Sequence, residues 1–184
     1  IPAVLIAYVT WGGWFEWQAF RIEAKKQREA KALIESLGST EAVIERLKAR
    51  VAETPKDAKA WFLLGRVYAS SGQWQAAYEA YVLAHSLDVK NNEYSLHYAE
   101  SVWELNHQRF DENTRGLLKA ILVEHPNQPD ALAMLAYDAY TTQHYQAAVT
   151  YWERLLALPD VSTETASKLR QAIVKARQAM DLRG

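Results

Sequence analysis

The positions that most constrain this chain lie between Trp61 and Ala84: Trp61, Leu64, Gly65 and Tyr68, then Ala77, Tyr81 and Ala84. The first four fall on one face of a helix at i, i+3, i+4 and i+7, and the last three fall on one face of a second helix. Gly65 and Ala77 lack bulk, so the two helices can approach closely. Trp61, Tyr68 and Tyr81 then fill the space between that pair and its neighbours.

The spacing W-x2-L-G-x2-Y, then small, aromatic, small, resembles a tetratricopeptide repeat (TPR), in which paired antiparallel helices stack into a groove. Counting forward from Ala58 places a second copy at 92–128, with Tyr98 and Ala99 where Leu64 and Gly65 stood, Leu118 and Ile121 in its second helix, and Pro126 closing it. This copy runs about three residues beyond the usual ~34, and the excess falls around Asn106 to Glu112, between its helices. A third copy, 129–160, is carried by Leu132, Leu135, Ala136, Ala139, Ala148, Trp152 and Leu155. Val89 stands where a proline would close the first copy, 58–91, so a looser turn is expected there.

At 184 residues the chain suits one domain plus an appendage. A net charge of −1 gives no reason to expect nucleic acid as a partner. The charge is nevertheless uneven: Ala58 to Asp160 carries 7 Lys/Arg against 12 Asp/Glu, and the flanks carry 14 against 10. An acidic array favours basic ligands. The absence of cysteine excludes a thiol nucleophile, a dithiol redox pair, a disulfide framework and cysteine zinc sites.

Residues 1–38 read as a membrane-anchor helix and its extension. No charge precedes Glu16, and Tyr8, Trp11, Trp14, Phe15, Trp17 and Phe20 crowd together as in an interfacial aromatic belt. The uncharged run reaches only about 22 Å of a ~30 Å hydrocarbon core, so a span whose upstream part is missing is expected. From Arg21 to Lys31 the charged, proline-free sequence continues the helix until Gly38. Ser39 then reads as the N-cap of a leading helix, 39–54, with Val43, Ile44, Leu47 and Val51 on one face and Thr54-Pro55 as its stop. Beyond Pro159, Ala166, Leu169, Ile173, Ala176 and Met180 form the stripe of a capping helix within 161–184, with Lys168, Lys175 and Arg177 off it. The expected fold is all-α: a TPR domain over 39–184 with three helix pairs, flanking and capping helices, and the N-terminal anchor.

Nothing here points to catalysis, a cofactor or a metal. His85, His97, His107, His125 and His144 never fall at i, i+4 with one another, and acid pairs such as Asp111-Glu112 or Glu100/Glu104 are routine on exposed helices. No phosphate-binding glycine loop or nucleophile elbow is present. The groove is the better candidate. In such repeats the first helix of each pair lines the concave face. That places Lys59, Phe62, Arg66, Ala69 and Ser70 in the first copy, Glu93, Leu96, Glu100, Trp103 and Glu104 in the second, and Asp130, Ala133, Tyr137, Tyr140 and Thr141 in the third. Phe62, Leu96, Trp103, Tyr137 and Tyr140 would form an apolar floor, with Glu93, Glu100, Glu104 and Asp130 as an acidic rim. An amphipathic, lysine-bearing helix fits both.

The run Asp57 to Tyr68 (DAKAWFLLGRVY) resembles the opening of the repeat domain in cytochrome c maturation factors of the CcmI family, which in some bacteria form the C-terminal half of a fused CcmH. Tyr98-Ala99-Glu100 before a lengthened turn, Ala147 to Leu156 (AAVTYWERLL) before Leu158-Pro159, and the aromatic exit Tyr8 to Trp17 are similar to the same family. NrfG-type accessories of nitrite-reductase haem attachment share much of this. The resemblance implies a periplasmic module, anchored in the inner membrane, that captures unfolded apocytochrome c by its C-terminal helix. It further implies delivery of that client to a haem ligation complex of the CcmF/CcmH type. It brings no catalytic residues, since the redox-active cysteines belong to the CcmH half. The cluster Arg21, Lys25, Lys26, Arg28 and Lys31 would by the positive-inside rule put the repeats in the cytoplasm; Glu16, Glu23 and Glu29 interrupt it, and the resemblance outweighs it.

Two other functions compete with the chaperone subunit. A structural TPR scaffold without a client peptide would keep its contacts on the convex face and the Arg21 to Lys31 helix, and charge reversal at Glu100 and Glu104 would leave it intact. The other is an enzyme or a haem-binding protein, and its haem version would shift a Soret band on titration.

Overall fold

The computed structural model describes residues 39–182, which hold eight α-helices and, among the described residues, no strand. The expected membrane span, its extension and Gly184 lie outside the described residues. The described chain falls into two compact units, 39–121 and 122–182.

The first unit begins with α1, Thr40–Glu53. Ser39 caps it, its hydroxyl accepting from the Ala42 amide at 3.3 Å, and the expected face is inward: Val43, Ile44 and Val51 are buried and Leu47 packs against them. Thr54 ends the helix because Pro55 follows and disfavours α geometry before it. The next helix, α2 (Ala58–Ser70), starts on Asp57. One carboxylate oxygen accepts from the Ala60 amide at 3.0 Å while the other accepts from Arg50 at 2.8 Å, which fixes the start of α2 to the end of α1. Trp61 donates its indole N–H to the Pro55 carbonyl at 2.9 Å, so the first residue of the repeat pattern also fastens the turn before it.

Helix α3, Trp74–Leu87, returns along α2. Gly65 is required at this crossing by Tyr81: a Cβ added at Gly65 would stand 2.6 Å from two carbons of the Tyr81 ring. In the tight turn between them Gly72 takes φ +72°, and the Gln73 amide reaches back to the Tyr68 carbonyl at 2.9 Å. Although Val89 replaces the closing proline, the next turn is secured by the Asn91 amide on the Asp88 carbonyl at 3.1 Å. Asn91 then caps α4, Asn92–Leu105, through the Glu93 and Tyr94 amides.

The expected excess in the second copy is the turn Asn106 to Asp111, where His107 and Gln108 both take positive φ. Gln108 donates to the Trp103 carbonyl at 3.0 Å, and the Asn106 side chain donates to the Arg109 carbonyl at 3.1 Å. The extra residues deliver Phe110 onto Trp103, with ring centroids 4.8 Å apart. Asp111 accepts from the Thr114 amide at 2.7 Å at the start of α5, Glu112–Glu124, within which the two units meet in sequence. That hydrogen bond holds the Asp111 carboxyl below the usual carboxylate range.

In the second unit α6, Pro129–Thr141, opens with proline at its first turn, where no intrahelical N–H is needed. It packs on α7, Tyr145–Leu156, which buries Ala148, Val149, Trp152 and Leu155. Their turn repeats the α2–α3 geometry with Gln143 at φ +66° in the place of Gly72, and the His144 amide on the Ala139 carbonyl at 2.7 Å. Helix α8, Thr163–Asp181, is capped by Ser162 and covers α7. Leu169, Ile173 and Ala176 of the expected stripe are buried, Ala166 and Met180 are half-buried, and exposed Arg177 reaches Glu153 at 2.7 Å.

Candidate functional site

In the first unit the candidate residues come from α2 and α4, and aromatic rings join those two helices. Phe62 of α2 lies 4.7 Å from Tyr94 and 5.1 Å from His97, both of α4, by ring centroids. Tyr81 of α3 closes the cluster, 5.9 Å from Phe62 and stacked on His97 at 5.4 Å. Offset and edge-on aromatic pairs at such separations add to the packing already gained by burial.

This packing corrects the expected apolar floor. Phe62, Leu96 and Trp103 are 5%, 3% and 1% exposed, so they fill the interior and offer a ligand almost no surface. The register places each on the correct helix face, but Phe62 is consumed by Tyr94, His97 and Tyr81, and Trp103 by Phe110. Glu100 is also corrected as a rim residue. It is 5% exposed, and one carboxylate oxygen lies 3.1 Å from His97 Nδ1, so the residue three positions earlier on the same helix draws it inward.

The charged residues that remain accessible are on opposite helices. From α2 come exposed Lys59 and half-buried Arg66, whose guanidinium carbon lies 5.9 Å over the Phe62 ring. From α4 come exposed Glu93, in its first turn, and half-buried Glu104, in its last. Ala69 is half-buried and Ser70 exposed, its hydroxyl donating to the Val67 carbonyl at 2.8 Å. Helix α2 therefore carries accessible cations and α4 accessible carboxylates, with the buried Phe62, Tyr94 and His97 rings joining the two helices. This pair can hold a peptide by charge; its apolar contacts must come from the edges of half-buried groups.

A polar seam that no motif in the sequence marks lies between α3 and α4. Ser95 Oγ is 3.0 Å from His85 Nδ1, and the His85 ring stacks on Tyr98 at 5.5 Å and 7°. Tyr78 extends the seam, 5.8 Å from Tyr98. Burial lowers the His85 pKa and raises that of Tyr98, so both stay neutral near pH 7.

The second unit supplies the remaining candidates, of which Ala133 is buried and Thr141 half-buried. Asp130 lies in the first turn of α6 and is half-buried. Tyr137 and Tyr140, also half-buried, lie 6.1 and 5.5 Å from the buried Trp152 of α7, and Tyr145 lies 5.5 Å from Tyr140. Burial, then the neighbouring Tyr145, raises the Tyr140 hydroxyl pKa. Unlike Phe62 and Trp103, these tyrosines keep part of their surface. Among the described residues no cluster of His, Cys, Asp or Glu is placed to hold a metal, and no helix is long and apolar enough to cross a membrane.

The family profile described as the cytochrome c-type biogenesis protein H TPR domain matches residues 25–166. A similar curated protein is the cytochrome c-type biogenesis protein CcmH of Escherichia coli (strain K12), 27% identical over 132 residues that cover 72% of this chain and 38% of that protein. The cytochrome c-type biogenesis protein CycH of Pseudomonas aeruginosa is 24% identical over 98% of this chain and 43% of its own length. The formate-dependent nitrite reductase complex subunit NrfG of Escherichia coli O157:H7 is 27% identical over 78% of this chain and 72% of its own. The chain thus spans less than half the length of the CcmH and CycH relatives. Among solved structures, the crystal structure of MamA protein superposes with a TM-score of 0.66 over 88% of this chain and 80% of that one, at 16% identity, a likeness of fold alone.

Proposed function

The chain belongs to the cytochrome c-type biogenesis protein H TPR-domain family, and from that premise we propose that it is a binding subunit of c-type cytochrome biogenesis, not an enzyme. Its client is apocytochrome c, gripped through the C-terminal helix and passed to a haem ligation complex of the CcmF/CcmH type. The N-terminal segment anchors it in the inner membrane and the TPR domain works in the periplasm.

The observation that most supports this reading is the opposite charge of two helices joined by aromatic contacts, with Lys59 and Arg66 on α2 and Glu93 and Glu104 on α4. An amphipathic helix with cations along one edge would meet Glu93 and Glu104, and such contacts steer association and fix orientation more than they raise affinity. The named function of the CcmH and CycH relatives supports the pathway. The half-exposed Tyr137 and Tyr140 are suited to apolar contact in the second unit.

The test is calorimetric titration of the full chain with a synthetic C-terminal helix of a bacterial c-type cytochrome, at low and moderate salt. Binding that weakens with salt and on reversal of Glu93 and Glu104 to lysine is expected. A full chain that ignores the peptide at every salt concentration refutes the client; complementation unaffected by the reversal favours a scaffold.

A further inference from the structure

The seam between α3 and α4 is filled along only part of its length. Near the turn that joins the two helices Ser95 meets His85, and further along Tyr78 meets Tyr98. One turn before Tyr78 on the same face of α3 is Trp74, and two turns beyond Tyr98 on the same face of α4 is Leu105. These two border a cleft of about 540 Å³, whose other walls include Gly72, Gln75, Ala76 and Glu79. Gly72 and Ala76 project little into it. The lengthened turn after Leu105 carries its ring, Phe110, onto Trp103 on another face of α4, so Leu105 stays 37% exposed.

The walls have the chemistry of a site for a cationic side chain. Trp74 is half-buried, packing against the cluster that holds Ala77 and Tyr81 while it lines the cleft. Glu79 is exposed; one carboxylate oxygen accepts from the Gln75 amide at 3.1 Å, and among the described residues Glu79 has no basic partner. Helices α3 and α4 carry no Lys or Arg. The first turn of α3, whose dipole disfavours a cation, is offset by the last turn of α4, whose unsatisfied carbonyls favour one. An indole face attracts a cation, a carboxylate pairs with it, and Leu105 offers apolar surface to an aliphatic stem. Arginine uses all three at once, because its planar group stacks on a ring while its N–H fork reaches a carboxylate. The compact, strongly hydrated charge of lysine stacks less well, and an apolar side chain leaves Glu79 unused.

We propose that this cleft is a second binding site, which receives an arginine side chain from a partner protein. It draws on α3, which the client surface over α2 and α4 does not use, and it does not rest on the client reading. Arginine is among the side chains that most often anchor protein interfaces, and a concave cleft with an aromatic wall is where such an anchor seats.

The test is an NMR titration of the nitrogen-15-labelled full chain with three single-residue probes, the N-acetyl methylamides of arginine, lysine and norleucine. The readout is the indole N–H cross-peak of Trp74, assigned by its disappearance in Trp74→Phe. The arginine probe should move that peak saturably at millimolar concentration. Lysine should bind about threefold more weakly and norleucine about tenfold, the combined range for an exposed ion pair and a cation–π contact. Glu79→Gln, an exposed change expected to leave the helical circular dichroism signal intact, should weaken the arginine probe about fivefold and leave norleucine as it was. Norleucine as tight as arginine makes the cleft an apolar pocket and overturns the proposal; lysine equal to arginine overturns the choice of side chain. Binding unchanged in Glu79→Gln, or shifts spread equally over the other indole peaks, would mean diffuse attraction to an acidic protein and overturns the site. No movement with any probe does the same.

Discussion

Substituting Gly65 by alanine tests the packing that sets α2 against α3, and the structure fixes its sign. The added Cβ would stand 2.6 Å from Cδ1 and Cε1 of Tyr81, about 1 Å inside the ~3.5–4.0 Å optimum for carbon pairs. Tyr81 is 1% exposed and touches the Phe62 and His97 rings, so it has little room to retreat. Overpacking of this kind costs about 1–3 kcal/mol. Alanine regains about 1 kcal/mol of helix propensity over glycine. Because the Tyr81 ring is enclosed, the overpacking cost falls in the upper half of its range, about 2–3 kcal/mol, and the expected net loss is about 1–2 kcal/mol. Gly116 supplies the control, since it is also within a helix and a Cβ there meets nothing within 4 Å. Gly116→Ala should therefore stabilise by about 0.5–1 kcal/mol. In urea unfolding followed by circular dichroism, the Gly65→Ala midpoint should fall by about half a molar or more and the Gly116→Ala midpoint should rise. Gly65→Ala should cost less in a Tyr81→Leu background, where the ring is gone. If Gly65→Ala raises the midpoint as Gly116→Ala does, the close approach described here is wrong.

Three other outcomes follow from single contacts. Glu100→Ala leaves His97 without its buried partner and should cost about 1–3 kcal/mol of stability, while the salt dependence of peptide binding, read by calorimetry, stays as in wild type; a steep loss of that dependence would return Glu100 to the accessible rim. Glu153→Ala breaks an ion pair whose side chains are 48% and 57% exposed, so thermal unfolding should register no more than about 1 kcal/mol. For His85, burial holds the folded pKa below the ordinary histidine value of 6.5, so the unfolded chain binds the proton first. The stability this histidine contributes is full above 6.5 and is lost as pH falls through 6.5 towards the folded value. The pH profile of the urea midpoint should flatten in that window in His85→Gln, and an unchanged profile would assign the window to another group.

Much of the fold is legible because caps and spacing act locally. Ser39, the Thr54-Pro55 stop and the α8 stripe each depend on residues within a turn or two of one another. Gly65 is legible as a small residue, but its partner is the Tyr81 ring, since spacing does not say which side chain fills the space across a crossing. The site is less legible. Face register assigns Phe62, Leu96 and Trp103 to one side of their helices without telling a surface from a seam. The ring that covers Trp103 comes from Phe110 in the lengthened turn, where helical periodicity has no reading. Glu100 had a local signal, His97 three residues earlier, which marks a pair able to satisfy itself indoors. Arg66 was placed on the groove face by register; its position over the Phe62 ring emerges only from tertiary structure.

The central claim is that this chain recognises an unfolded client. The direct measurement is calorimetric titration of the full chain with one bacterial c-type cytochrome as the haem-free apoprotein and again as the folded holoprotein, in the same buffer. Saturable binding of the apoprotein is expected, with binding of the holoprotein at least about tenfold weaker, because folding ties up the C-terminal helix. Equal affinity for the two forms, or none for either, contradicts it.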